Sequence, residues 1–98
     1  MTHTLLIEKF KRQLEKQLDE YFFYVLPNPH GASLRPFDAF LLYEGKFYAF
    51  EFKVKKDKLK KHQKYYLSKI RKSKCFTGII TENTNLDMLL FDLILNLI

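Results

Sequence analysis

Leu6, Phe10, Leu14, Leu18 and Tyr21 recur every three to four residues, the spacing of one face of a helix. Lys9, Lys11, Arg12 and Lys16 occupy the remaining positions. The pattern predicts a first helix over residues 4–24 with Thr4 as N-cap, its last turn, YFFYVLP, leading into extended chain. PNPHGASLRP carries too many prolines and a glycine to continue a helix and reads as a loop. The period then changes from three and a half to two. DAFLLY and KFYAFEFKV alternate as strands do, and Glu44-Gly45 between them suits a two-residue hairpin turn, although Asn or Asp would suit its first position better than Glu.

Helical spacing returns in DKLKKHQKYYLSKIRK, where Leu59, Tyr66, Leu67 and Ile70 form one stripe and lysines cover the opposite side. KCFTGIITE reads as a short buried strand, parallel to its predecessor across the helical crossover. From Thr84 to Ile98 the chain is apolar on nearly every side of a helix. The order αββαβα predicts a single α/β domain over residues 1–98: a small mixed sheet flanked by helices, ending in an apolar C-terminal helix.

Three residues disturb the apolar hairpin: Asp38, Glu51 and Lys53. With Glu44-Gly45 as the turn, Tyr43 faces Lys46, Phe40 faces Ala49 and Asp38 faces Glu51. Opposed side chains project to the same side about 4.5–5.5 Å apart at Cβ. Glu51 and Lys53 share that face with Phe47 and Ala49, while Tyr48, Phe50, Phe52 and Val54 take the other. Opposed carboxylates repel, and burial adds to the cost unless something compensates. A divalent cation would, since paired hard oxygens suit Mg²⁺ or Mn²⁺, and Lys53 beside it could hold a water or stabilise charge at a phosphate. The alternative is an Asp38 at a frayed strand start and a Glu51–Lys53 ion pair on an exposed face. Gln63 falls on the buried side of the second helix, where its amide needs a partner.

Charge changes the picture more than composition does. The 98-residue chain has a formal net charge of +6, yet 11 of its 17 basic residues lie between Lys53 and Lys74, opposed there by Asp57 alone. Such a segment favours a polyanion, most simply nucleic acid; a solvated helix face is the plainer reading. One cysteine, Cys75, excludes an internal disulfide framework and a cysteine-rich metal site. MLLFDLILNLI is too short to span a bilayer, and MTHTLLIEKFKRQ turns charged after three apolar residues. No membrane partner and a cytoplasmic setting are therefore expected.

A helix carrying a glutamate, a Pro-plus-Asp strand start, a hairpin, Glu-x-Lys and a helix with an inward Gln together resemble the PD-(D/E)xK nuclease superfamily. The likeness is greatest to the small virus-type replication-repair nucleases (VRR-NUC) and to Holliday-junction resolvases, and it runs from IEKFKRQL through GIITE. In RPFD, Phe37 separates the Pro and Asp that the family usually keeps adjacent. The resemblance implies a restriction-endonuclease-like αββαβ core and metal-dependent scission of DNA. Asp38 and Glu51 would hold one or two Mg²⁺ or Mn²⁺ ions, with Glu8 contributing directly or through water and the Phe52 carbonyl as a further ligand. Lys53 would orient and help deprotonate the nucleophilic water, and Gln63 would support it.

Arg35 is expected to contact phosphate, and Lys55, Lys56, Lys60, Lys61 and Lys64 to add salt-sensitive backbone affinity. His30 and His62 read as exposed, His3 as disordered with the terminus, and Cys75 as core. The apolar tail suggests a second copy as partner, hence a homodimer; the alternative is a tail packed deeply under the domain's own sheet. Two other readings stand beside the nuclease: a non-catalytic nucleic-acid-binding module of the same fold, and a protein-interaction subunit whose terminal helix is its function.

Overall fold

Thr2, not Thr4, caps the first helix. Its Oγ1 accepts from the Leu5 amide at 3.1 Å, and α1 runs His3–Gln17 with Thr4 inside it. The computed structural model describes residues 1–28 and 35–98, so His30 and most of its loop lie outside the described residues. Leu6, Ile7, Phe10 and Leu14 form the buried stripe of α1. The helix stops seven residues short of its predicted end. Phe22–Val25 form instead a strand, β1, paired antiparallel with β2 (Ala39–Tyr43). The run YFFYV satisfies both periods, and its aromatic and β-branched residues fit a pleated surface better than a helix. Phe23 and Val25 turn inward to the main core, while Phe22 and Tyr24 face out.

The hairpin has the predicted register. β2 pairs antiparallel with β3 (Lys46–Lys53), Tyr43 facing Lys46 and Phe40 facing Ala49. Both turn residues are left-handed, with φ of 51° at Glu44 and 73° at Gly45, as a type I′ turn requires. Glu44 has no side-chain geometry that favours this region, whereas Asn tolerates it. Glu44→Asn is expected to stabilise the fold by about 0.5–1 kcal/mol, read as a rise of roughly 3–6 °C in Tm by thermal unfolding. An unchanged Tm would mean that the turn carries no strain.

After β3 the chain turns sharply at Lys55 (φ 54°), and the second helix, α2, spans Lys61–Lys72. It starts later than its pattern predicts: Leu59 precedes it, half-buried, and Tyr66 is exposed, leaving Gln63 and Leu67 as its buried residues. His62 is half-buried, not solvent-facing. The fourth strand, β4 (Phe76–Thr81), returns parallel to β3, with Phe50 opposite Gly78. It is an edge strand with Ile79 exposed, and Cys75 lies just before it, half-buried and outside the core. Helix α3 (Leu86–Ile94) buries Leu86, Leu90 and Leu93.

The result is an α/β fold of order αβββαβα around a mixed sheet, β1-β2-β3-β4. On one face α1 and α3 pack Phe10, Leu14 and Leu90 against Leu41, Tyr48, Phe50 and Phe52. On the other, α2 brings Leu67 onto Ala49 and Phe37, with Phe40, Phe47 and Ile70 around them. β3 is thus buried on both faces, the setting that makes its two ionisable residues notable. Among the described residues no helix is long and apolar enough to cross a membrane.

Candidate active site

Backbone hydrogen bonds carry the hairpin ladder one residue beyond β2. Asp38 donates its amide to the Phe50 carbonyl (3.1 Å) and accepts from the Leu26 amide (2.8 Å). Ala39 is the residue directly opposite Phe50, so the Asp38 bond to the same carbonyl is of the bulge type, and it sets Asp38 beside Glu51 near the carboxyl end of β3. Both are buried, with 2% and 1% of their surface exposed. The frayed, solvent-exposed alternative for this pair is therefore excluded.

Asp38 is held from several sides. Its Oδ2 accepts from the Phe52 amide at 2.7 Å and meets His3 Nε2 at 3.1 Å, and its Oδ1 lies 2.6 Å from the Arg35 guanidinium. Glu51 is less well provided. Its Oε1 accepts from Gln63 Nε2 at 2.9 Å and lies 3.8 Å from Lys53 Nζ, but its Oε2 is buried with no donor. Two buried carboxyls side by side repel as anions, which favours a proton on one of them. Burial, then the hydrogen bond and charge of Asp38, push Glu51 up to about 8, against the opposing charges of Lys53 and Arg35. Burial also pushes Asp38 upward, but the hydrogen bonds from Glu51 and the Phe52 amide, with Arg35 and His3, outweigh it and hold Asp38 below the usual carboxylate range. Glu51 therefore keeps the proton and Asp38 the charge.

Gln63 joins helix to site. Placed at the third position of α2, its Oε1 accepts from the Lys60 amide at 2.9 Å, as a helix-capping side chain does. The same oxygen accepts from Lys53 Nζ at 3.2 Å while Nε2 reaches Glu51. One amide thus orders the ammonium, the carboxyl and the helix start together, and the predicted inward Gln has its partners.

These groups border a recess of about 330 Å³, flanked by His3 and Arg35 on one side and Lys58 and Lys60 on the other. A larger recess of about 720 Å³ lies at the opposite end of the strands, between Phe47, Phe76 and Ile98. Among the described residues no acidic side chain lines it, whereas the smaller recess gathers Asp38, Glu51 and Lys53.

Three expectations change. Glu8 does not border the recess; it is half-exposed and pairs with Lys11 at 3.4 Å on α1. His3, expected to be disordered, takes the place beside Asp38 and packs edge-on against Phe52 at 6.4 Å. Arg35 does not reach out for phosphate: it is bound to Asp38 and to the Leu26 carbonyl, with 13% of its side chain exposed. Of the predicted backbone-binding lysines, Lys60 borders the recess, and Lys55, Lys56, Lys61 and Lys64 are exposed.

A hard cation fits in one respect. The orphaned Glu51 Oε2 and the raised pKa of that carboxyl mark where a cation could take the place of a proton beside Asp38. Among the described residues there is no group of three or more His, Cys, Asp or Glu side chains placed to hold a metal, so main-chain carbonyls, water or substrate would have to complete the shell, the usual habit of Mg²⁺. Compared with models of protein families, with curated proteins and with solved structures, the chain matches none.

Proposed function

We propose that this chain is a metal-dependent nuclease of the PD-(D/E)xK type, with a restriction-endonuclease-like core, that hydrolyses DNA phosphodiester bonds. One observation carries the reading: Asp38, Glu51, Lys53 and Gln63 form a single hydrogen-bonded and ion-paired set in one recess. A buried pair of carboxyls costs stability, and packing offers no reason for it.

Asp38 and Glu51 would hold Mg²⁺ or Mn²⁺, which when bound supplies Lewis-acid stabilisation of the phosphoryl group and a more acidic water. Lys53 orients the nucleophilic water and offsets charge building on the phosphoryl oxygens as the new P–O bond forms and the ester P–O bond breaks. Gln63 positions Lys53 through its Oε1. Lys58 and Lys60 flank the recess and, with the exposed lysines of α2, attract the backbone without reading sequence.

A second reading has its own support. Asp38 already has Arg35, His3 and the Phe52 amide as partners, as a purely structural carboxylate in a nucleic-acid-binding module would. Cleavage of supercoiled plasmid, flap, four-way junction and single-stranded DNA, in Mg²⁺, Mn²⁺, Ca²⁺ or EDTA, separates the two. The nuclease cuts at least one substrate with Mg²⁺ or Mn²⁺ and none in EDTA; a binding module cuts nothing.

The homodimer belongs to the same proposal. Met88, Phe91, Ile94, Leu95 and Leu97 are exposed on and beyond α3, more apolar surface than one short helix usually leaves to water. Sedimentation equilibrium should give a mass that rises to twice the monomer with concentration; a monomer throughout would remove the dimer.

A further inference from the structure

Among the described residues, α2 covers only part of the sheet face that holds the recess. Arg71 donates to Thr77 Oγ1 at 3.1 and 2.8 Å, which ties one flank of α2 over β4. The other half of that face, over β1 and β2, is aromatic. Phe22 pairs across the sheet with Leu42 and Leu42 with Phe47; Tyr24 pairs with Phe40 and Phe40 with Ala49. Directly paired residues project to the same side, so Phe22, Tyr24, Phe40 and Phe47 share the face of Glu51.

Their rings make a continuous surface. Phe22 and Tyr24 are stacked at 6.1 Å with 15° between planes, both approach Phe40 at 5.9 and 5.7 Å, and Phe40 stacks on Phe47 at 5.3 Å. Phe22 is 53% and Tyr24 45% exposed, with Leu42 beside them at 43%. The row Tyr24–Phe40–Ala49 lies two residues from the row of Asp38 and Glu51, about 7 Å along the strands. The flank of α2 opposite Arg71 carries Lys69, and α2 as a whole is lysine-rich.

We propose that Phe22, Tyr24 and Phe40 are a stacking platform for unpaired nucleobases, which makes the preferred substrate of the recess a single strand or a duplex with a single-stranded arm. The inference rests on the nuclease reading and deepens it. The exposed rings of Phe22 and Tyr24 suit planar bases, since every base has a π-face to stack. The basic helix beside them supplies the charge that a strand backbone needs. The shared face places the Phe40 row one sheet row from Glu51 and two from Lys53, about 14 Å along the strand. Within a duplex the bases are already stacked on one another and cannot occupy the platform.

The test is binding in EDTA, where cutting plays no part. Fluorescence anisotropy would compare three labelled ligands: an oligothymidine of about 16 nucleotides, its duplex, and an abasic strand of equal length and charge. The wild type should bind oligothymidine at least about tenfold more tightly than the abasic strand. Phe22→Ser/Tyr24→Ser, with its fold checked by circular dichroism, should remove that advantage and leave duplex binding unchanged. Equal affinity for the abasic strand and oligothymidine, or an equal loss for all three ligands, would overturn the platform. So would a wild-type dimer that the double substitution converts to monomer, because a second copy would then occupy this face. Failure here leaves metal-dependent cutting untouched, and loss of cutting in a Lys53→Ala protein that still prefers oligothymidine leaves the platform standing.

Discussion

Lys53→Ala is expected to lower metal-dependent cleavage by about a thousandfold or more while the protein stays folded. Removing one preorganised group that faces developing charge costs about 10²–10³ in rate, and losing the orientation of the nucleophile adds to it. The fold should survive because Gln63 keeps two of its partners, the Lys60 amide and Glu51. The lost Lys53–Gln63 bond is partly exposed and worth about 1 kcal/mol. Asp38→Asn should abolish cutting as well, but it is the poorer probe. An asparagine amide there brings a donor towards Arg35 and the Phe52 amide, both donors themselves, and breaking a buried pair by changing one partner costs about 3–5 kcal/mol. Loss of activity in that variant has meaning only beside an intact circular dichroism spectrum. Undiminished cleavage in Lys53→Ala would remove Lys53 from the mechanism.

The parts of this site that can be read from the sequence are those set by local geometry. Gly45 in second place in the turn fixes the hairpin register as far as Ala39 and Phe50, and the next residue, Asp38, comes to lie beside Glu51 through a further bond to the Phe50 carbonyl. Helical period places Gln63 inward, and the two meet because the crossover returns α2 over the Glu51 face of β3. The contacts that the sequence hides are of two kinds. His3 reaches Asp38 across 35 residues, a separation over which no local pattern speaks, and helix 1 offered Glu8 as a more familiar acidic candidate. Arg35 stands three residues before Asp38, a spacing that was legible, but an arginine near a presumed phosphate site invites the wrong partner. β1 is hidden for a different reason. Leu18 and Tyr21 continue the helical spacing of α1, and only the pairing with β2 decides in favour of the strand.

The opposed carboxyls also make the fold sensitive to pH in a defined direction. Glu51 is raised from 4.5 to about 8 in the folded chain. Below the unfolded value both states carry the proton and the stabilising effect of the raised pKa is complete; it is lost as pH rises through the folded value. Asp38, held low, acts oppositely: its contribution is present above 3.8 and lost as pH falls through its folded value. Between about pH 5 and 8, then, Asp38 contributes a constant amount and Glu51 a falling one. In EDTA the stability of the wild type should decline across that window by on the order of a few kcal/mol once solvent reaching the recess is allowed for, read as a falling Tm. Glu51→Gln should flatten the decline, because a glutamine retains the donor that the protonated carboxyl supplies to Asp38 and never ionises. Mn²⁺ should reverse the trend in the wild type. It displaces the Glu51 proton, so its affinity rises about tenfold per pH unit up to about 8, and the metal-induced rise in Tm grows accordingly. The same Mn²⁺ titration of Glu51→Gln should give little shift at any pH. A metal-induced shift that is independent of pH, or that survives in Glu51→Gln, would place the cation elsewhere and leave the carboxyl pair as a structural feature of the sheet.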